Sequence, residues 1–336
     1  MFVLDVIRLD LTGGTLGPPW RRKCDWSHIE GMPPSRREAF DLCSGQWLGA
    51  QDRPGRSTQK SKAKSKEIMG NAYEIYALRY ATMSPRTPSM NFLQPDPHDS
   101  AAQDLDYFVW LIRGHGRDIL VDTGFNAEEA SARARKLTLN PVDALERFGV
   151  KASSIRDVIV THLHYDHAGN LDRFQNARFH LQEREMAYAT GRCMCNGLLR
   201  HPFSVEHVTQ MVRHVYGERV TFYSGDGEVA PGVTVHRVGG HSDGLQVVKV
   251  ETARGPVVLA SDAAHYYANL QRKSPFPIVY NVGDIAVGWE TIERLAGHPD
   301  RFIPGHDPIV TEIYPRASDK VDAWALHLPP TRSFAK

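Results

Sequence analysis

The chain has 336 residues, 41% of them hydrophobic and 24% charged, and a formal net charge of +1. That is enough chain to bury a sizeable core as one large or two ordinary domains. No apolar run reaches the ~18 residues of a membrane span, near-neutral charge excludes a basic nucleic-acid binder, and four cysteines in this length exclude a disulfide scaffold.

In chain order, "MFVLDVIRLDL" sets Asp5, Arg8 and Asp10 inside its apolar stretch and has no early basic cluster, which argues against a secretory leader. A cytoplasmic protein with reduced thiols is expected, including the C-x-C pair Cys193 and Cys195. Residues 1–70 hold 12 Lys and Arg against 8 Asp and Glu, whereas the remainder holds 28 against 31. The first 68 residues, with "GGTLGPPWRRK" and "QDRPGRSTQKSKAKSKE", show little periodicity and too little apolar surface to offset ordering entropy. They are expected to form a disordered basic extension ahead of an ordered α/β domain over residues 69–325, with a tail over 326–336.

"YFVWLIRG" and "RDILVDTG", split by Gly-His-Gly, predict a β-hairpin. "NPVDALERFG" predicts a helix with Asn140 as N-cap, Pro141 at the first position and Gly149 after the end. Further strands are expected in "DVIVTH", "ARFHLQ", "GVTVHRVGG", "LQVVKVET", "GPVVLASD" and "RFIPGH", with helices from about Glu183 and from about Asp284 to Ala296. Two strand-rich halves, each followed by helices, predict two sheets packed face to face with helices outside.

Chemistry concentrates in "VIVTHLHYDHAGN", Val158–Asn170. Alternation in an extended segment turns His162 and His164 to one locus, and Asp166 and His167 fall at the turn beside a second. Imidazole and carboxylate are the ligands that zinc and related divalent ions prefer, and a bound cation removes the repulsion within such a cluster. Two adjacent metals need roughly six or seven ligands. His241 in "VGGHSDG", Asp262 in "LASDAAH" and His306 in "IPGHDP" each stop an apolar strand beside small residues, where a sheet presents side chains to a common cleft.

In the order "LVDTG", "THLHYDHAGN", "GGHSDG", "ASDAAH", "PGHDP", the chain from about Tyr73 to Val310 resembles the metallo-β-lactamase superfamily, and within it the N-acyl homoserine lactonase-like hydrolases. The resemblance implies an αββα sandwich of two mixed sheets with helices on the outer faces. It implies two divalent ions, zinc by preference, one held by His162, His164 and His241 and the other by Asp166, His167 and His306. Asp262 would bridge them and Asp122 would steady the ligand loops. A hydroxide bridging the metals would open a lactone ring, such as that of an N-acyl homoserine lactone, with Asp166 and Asp262 at the reaction centre. The alternatives are a thioester hydrolase of the glyoxalase II kind, for which only about 30 residues after His306 leave too little helical domain, and a non-catalytic metal-binding module.

Lactonases of this group usually carry a tyrosine three residues after the bridging aspartate; here that position is His265, followed by Tyr266 and Tyr267. An irregular turn after Asp262 would let Tyr266 stand in as the donor to the reacting oxygen, whereas an immediate helix would turn only His265 inward. His265 is the expected inward residue. Residues 183–217 and Thr82–Leu93 are expected to wall the pocket; the alternatives for the latter are a contact in a homodimer or an ordinary surface loop. The expected partner is a small lactone or ester, with no nucleic acid and no membrane.

Overall fold

A computed structural model describes residues 72–99 and 103–333. The expected basic extension over residues 1–68 lies outside the described residues.

Among the described residues, seven strands come first: β1 (Glu74–Met83), β2 (Leu105–Gly114), β3 (Arg117–Val121), β4 (Lys136–Leu137), β5 (Asp157–Ile159), β6 (Arg178–Gln182) and β7 (Val220–Tyr223). The next five are β8 (Gly227–Ala230), β9 (Val233–Arg237), β10 (Gln246–Thr252), β11 (Gly255–Ser261) and β12 (Phe302–Pro304), before β13 (Ala323–Ala325). The first seven and the last build one sheet, ordered β13-β1-β2-β3-β5-β6-β7 with β4 on β1; the middle five build a second, ordered β12-β11-β10-β9-β8. Both are mixed: β3, β5, β6 and β7 run parallel, as do β11 and β12, and the other pairs are antiparallel.

Period-2 alternation assigns each side chain to a layer. On the large sheet, Ile75, Ala77, Phe108, Trp110, Ile112, Ile119, Val121 and Ile159 join Val233, Val235, Val248, Val250 and Leu259 of the small sheet in one core cluster. The intervening Leu78, Tyr80, Val109, Leu111, Leu120 and Val158 join Val142, Leu145, Val208 and Met211, from helices Pro141–Arg147 and Val205–Tyr216, in another. Burial on both faces makes β2 read as an unbroken apolar run rather than an alternating one. Helix Val282–Ala296 covers the small sheet through Ile285, Trp289 and Ile292.

Local signals explain the punctuation. The β2–β3 hairpin pairs Gly114 with Arg117 across His115 and Gly116, whose φ values of 53° and 71° suit a two-residue turn of the primed type. The Asn140 side chain accepts the Val142 N–H at 2.9 Å, capping the helix that starts at Pro141. The segment after Ala325 stays bonded to the domain: Leu326 is fully buried and its N–H donates to Ile75 O at 2.8 Å, and Thr331 N–H donates to Ile313 O. No helix among the described residues is long and apolar enough to cross a membrane.

Candidate metal centre

Regular pairing of β5 stops at Ile159, and the chain runs on through Thr161 into the histidine loop. Asp122, just past β3, fixes that loop. Its carboxylate accepts Thr161 N–H at 2.7 Å and Thr161 Oγ1 at 2.8 Å, and lies 2.7 Å from His167 Nδ1. Asp122 has φ 62°, a left-handed conformation costly for a residue with a Cβ, which these bonds hold in place. Burial raises its carboxyl above the usual range, against the pull of His167 and Thr161. A side chain at Gly169 would meet Gly124 O and Phe125 Cα at 2.6 Å, so the loop packs on the β3 end only with glycine there.

Candidate ligand residues of the small sheet arrive at strand ends, Asp262 after β11 and His306 after β12, while His241 follows β9. All converge on the Asp262 carboxylate. Its Oδ2 lies 3.1 Å from His241 Nε2, 3.1 Å from His265 Nε2 and 3.8 Å from His162 Nε2. Its Oδ1 lies 3.0 Å from His306 Nε2 and 3.3 Å from His167 Nε2. Asp166 reaches His306 Nε2 through Oδ2 at 3.8 Å, and His164 Nδ1 faces His241 Nε2 at 2.9 Å. Burial alone would raise Asp262, but His265, His306, His167 and His241 hold it well below the usual carboxylate range. Burial pushes His162 and His164 well down, whereas His167 and His306 are raised: burial is the largest single effect on each and lowers it, but the carboxylates of Asp262 and Asp166, joined at His167 by Asp122, together outweigh it.

These side chains fit divalent-metal binding. Ligand atoms within 4.8 Å of one another group as His162–His164–His241, as Asp166–His167–His306 and, sharing Asp262, as His162–His167–Asp262. His162 Nε2 and His167 Nε2 are buried without a hydrogen-bond partner among the described residues, the lone pairs a cation would take up. The opposite nitrogens of several rings are already held: His241 Nδ1 by Ile278 O, His306 Nδ1 by Asp106 O, each at 2.8 Å, and His167 Nδ1 by Asp122. Fixing the far nitrogen sets the ring orientation and leaves the near one for metal.

Sequence reasoning missed Glu185. This carboxylate, fully buried on helix Glu183–Thr190, accepts Leu163 N–H at 2.9 Å on one oxygen and, on the other, Ser242 Oγ at 2.8 Å and Gly244 N–H at 2.9 Å. It ties the His162–His164 segment to the loop carrying His241. Among the charged residues of "QEREMAY" nothing but helical phase distinguished it.

Beyond Asp262 the chain takes an irregular turn and enters a helix only at Tyr267, the path under which Tyr266 was the expected stand-in. Even so, His265 is the residue that faces Asp262, its ring stacked on Phe276 at 3.7 Å. Tyr266 turns away: its hydroxyl donates to Asp104 O at 3.2 Å and its N–H to Asn269 Oδ1. Tyr267 packs against Phe302 in the core.

A cleft of about 340 Å³ opens over Asp262, His265 and His306. Its walls include Met83, Arg86, Ser89 and Met90 of the expected Thr82–Leu93 segment. From residues 183–217 it takes only His201 and Pro202; Phe276, Pro277 and Ile278 supply the wall that the sequence did not indicate. A larger groove of about 580 Å³ beside helix Val282–Ala296 is lined by none of these ligand residues, so the smaller cleft is the one with the chemistry.

The metallo-beta-lactamase superfamily model matches residues 103–306. An N-acyl homoserine lactonase of Bacillus thuringiensis is 32% identical over 188 residues, covering 52% of this chain and 70% of its own. A second, from a Bacillus species, is 29% identical with the same coverage. Among solved structures, a quorum-quenching N-acyl homoserine lactone lactonase superposes with a TM-score of 0.58 at 23% identity, over 71% of this chain and 94% of its own. The family match takes in the histidine loop, all three small-sheet candidate positions His241, Asp262 and His306, and more than half of the residues, and on that extent the chain belongs to the metallo-beta-lactamase superfamily.

Proposed function

We propose that this chain is a metal-dependent hydrolase that opens lactone rings, with N-acyl homoserine lactones as the substrate class and two zinc ions as cofactors. The observation that carries hydrolysis is the division of the Asp262 oxygens between two histidine groups, each containing a buried imidazole nitrogen without a partner. Relatedness to curated lactonases supplies the lactone. His162, His164 and His241 would hold one ion, Asp166, His167 and His306 the other, with Asp262 shared. Two bound divalent ions would supply a water ionised near neutral pH and polarisation of the ester carbonyl.

The protein's own groups do the rest. Asp262, at the centre of the cluster, can take a proton from the attacking water and deliver it to the leaving alkoxide. The His265 imidazole beside Asp262 is the side-chain donor we assign to charge developing on the carbonyl oxygen, and stacking on Phe276 holds its plane. Asp166 presents its carboxylate to the cleft beside His306. Burial of nearly all these groups keeps bulk water from competing for them.

The test is a substrate panel run on protein of known metal content. N-Hexanoyl homoserine lactone should be converted to a product heavier by one water, activity should disappear on chelation, and zinc should restore it. Faster turnover of a thioester than of any lactone, or full activity after metal is stripped, would overturn the reading.

A further inference from the structure

One wall of the cleft carries two phenols and a guanidinium in series. Arg135 Nε–H donates to the Tyr165 hydroxyl at 3.0 Å, and the Tyr165 and Tyr107 hydroxyls are 3.1 Å apart. Among the described residues, the only further partner of the Tyr107 hydroxyl is Met83 Sδ at 3.9 Å, a long contact to a weak acceptor. The positions are enforced: Arg133 stacks its guanidinium 4.1 Å from the Tyr165 ring centroid, and the Tyr107 ring packs edge-on to Phe125 and His306. All of Arg135, Tyr165, Tyr107 and Met83 line the cleft.

Proton accounting leaves this series one acceptor short. If Tyr165 donates to Tyr107, the Tyr107 proton has only the thioether. If Tyr107 donates to Tyr165, that oxygen already accepts from Arg135 and the Tyr165 proton is the one left over. Either way one phenolic O–H in a largely buried wall lacks a good acceptor, a cost that a ligand oxygen would remove. Asp262 and its histidines mark the floor where an ester would react. The series leads along the wall from Tyr107, packed on His306 beside that floor, through Tyr165 to half-buried Arg135, so the spare proton is offered along the wall, next to the reacting ester.

We infer that Arg135, Tyr165 and Tyr107 form a recognition relay for a carbonyl oxygen on the arm of the substrate, selecting lactones that carry an amide beside the ring over unsubstituted lactones. The inference rests on the lactonase reading above. An acylated lactone offers the missing acceptor; γ-butyrolactone has only its ring ester.

The experiment compares kcat/KM for N-hexanoyl homoserine lactone with kcat/KM for γ-butyrolactone in wild type, Tyr107→Phe and Tyr165→Phe, at matched metal content. The ratio of the two should fall about 10-fold in either variant, the scale of one lost neutral hydrogen bond. A ratio within two-fold of wild type in both variants, whether the rates hold or fall together, overturns the relay. Calorimetric binding of N-hexanoyl-L-homoserine against homoserine to the metal-loaded protein tests the same contact without turnover: preference for the acylated compound should drop in both variants, and an unaltered preference overturns it. A wild type that opens neither lactone refutes the lactonase reading instead, and the binding result then decides the relay separately.

Discussion

Replacing Glu185 by Gln is the most direct test of how the two ligand loops are held together. Glutamine keeps the shape but has one acceptor oxygen where three donors now converge on two. With that oxygen towards Ser242 and Gly244, the amide NH₂ meets the Leu163 N–H; in the other orientation two donors are abandoned. The lesser loss is one charge-assisted bond and a buried N–H left unsatisfied, together about 2–4 kcal/mol. Leu163 lies between the proposed ligands His162 and His164, and Ser242 follows His241, so zinc affinity should fall roughly 10- to 100-fold, as for other partners that orient ligands. Urea unfolding of metal-stripped protein measures the first quantity and competition with a chromophoric chelator the second. If both match wild type, Glu185 is a spectator and the loops are held by something else.

His265→Ala should lower kcat for lactone opening roughly 10- to 1000-fold, as for loss of one oxyanion donor, whereas Tyr266→Phe should stay close to wild type because its hydroxyl ends on Asp104 O; steady-state kinetics on both variants decides this, and the reverse pattern would return the role to the tyrosine. His241→Ala and Asp262→Ala should each purify with less than half the wild-type metal, read by elemental analysis, since both belong to shared ligand groups. His214, stacked on Phe179, has its pKa lowered to about 4 by burial and by Arg219. The unfolded chain therefore binds the extra proton first. Its contribution is fully present above about pH 6.5 and lost as pH falls towards 4, on the order of 1 kcal/mol after allowance for solvent screening at a half-exposed site. Urea midpoints of wild type and His214→Phe should diverge across that window, and parallel pH profiles would refute the assignment.

The candidate ligand residues were legible as a cluster because their chemistry is local. Histidines and aspartates at strand ends keep their meaning however the rest packs, and seven of them meet at one centre. The hairpin at His115–Gly116 and the capped helix at Pro141 were legible for the same reason: a turn or cap is decided by a few adjacent residues. Contacts between distant segments were not legible. Strand β1 reads "EIYALRYATM", mixing polar and apolar residues on two buried faces, and gave no clear period. Glu185 looked like an exposed helix residue until the fold brought Ser242 and Gly244 to it. The hydroxyls of Tyr107 and Tyr165 were hidden in an apolar run and in the histidine motif. Phe276–Ile278 entered the cleft wall through loop packing, which periodicity does not encode.

The split of ligands between the sheets has a consequence for assembly. His162, His164, Asp166 and His167 follow β5 of the large sheet, whereas His241, Asp262 and His306 follow strands of the small one. Neither half of the chain carries the whole of the proposed ligand set. Severed at the β7–β8 connection, around Gly225, the two fragments would each be weak chelators, and tight metal uptake would return only when they re-docked. With that ligand set, metal affinity would work as a gauge of sandwich closure, readable without any substrate.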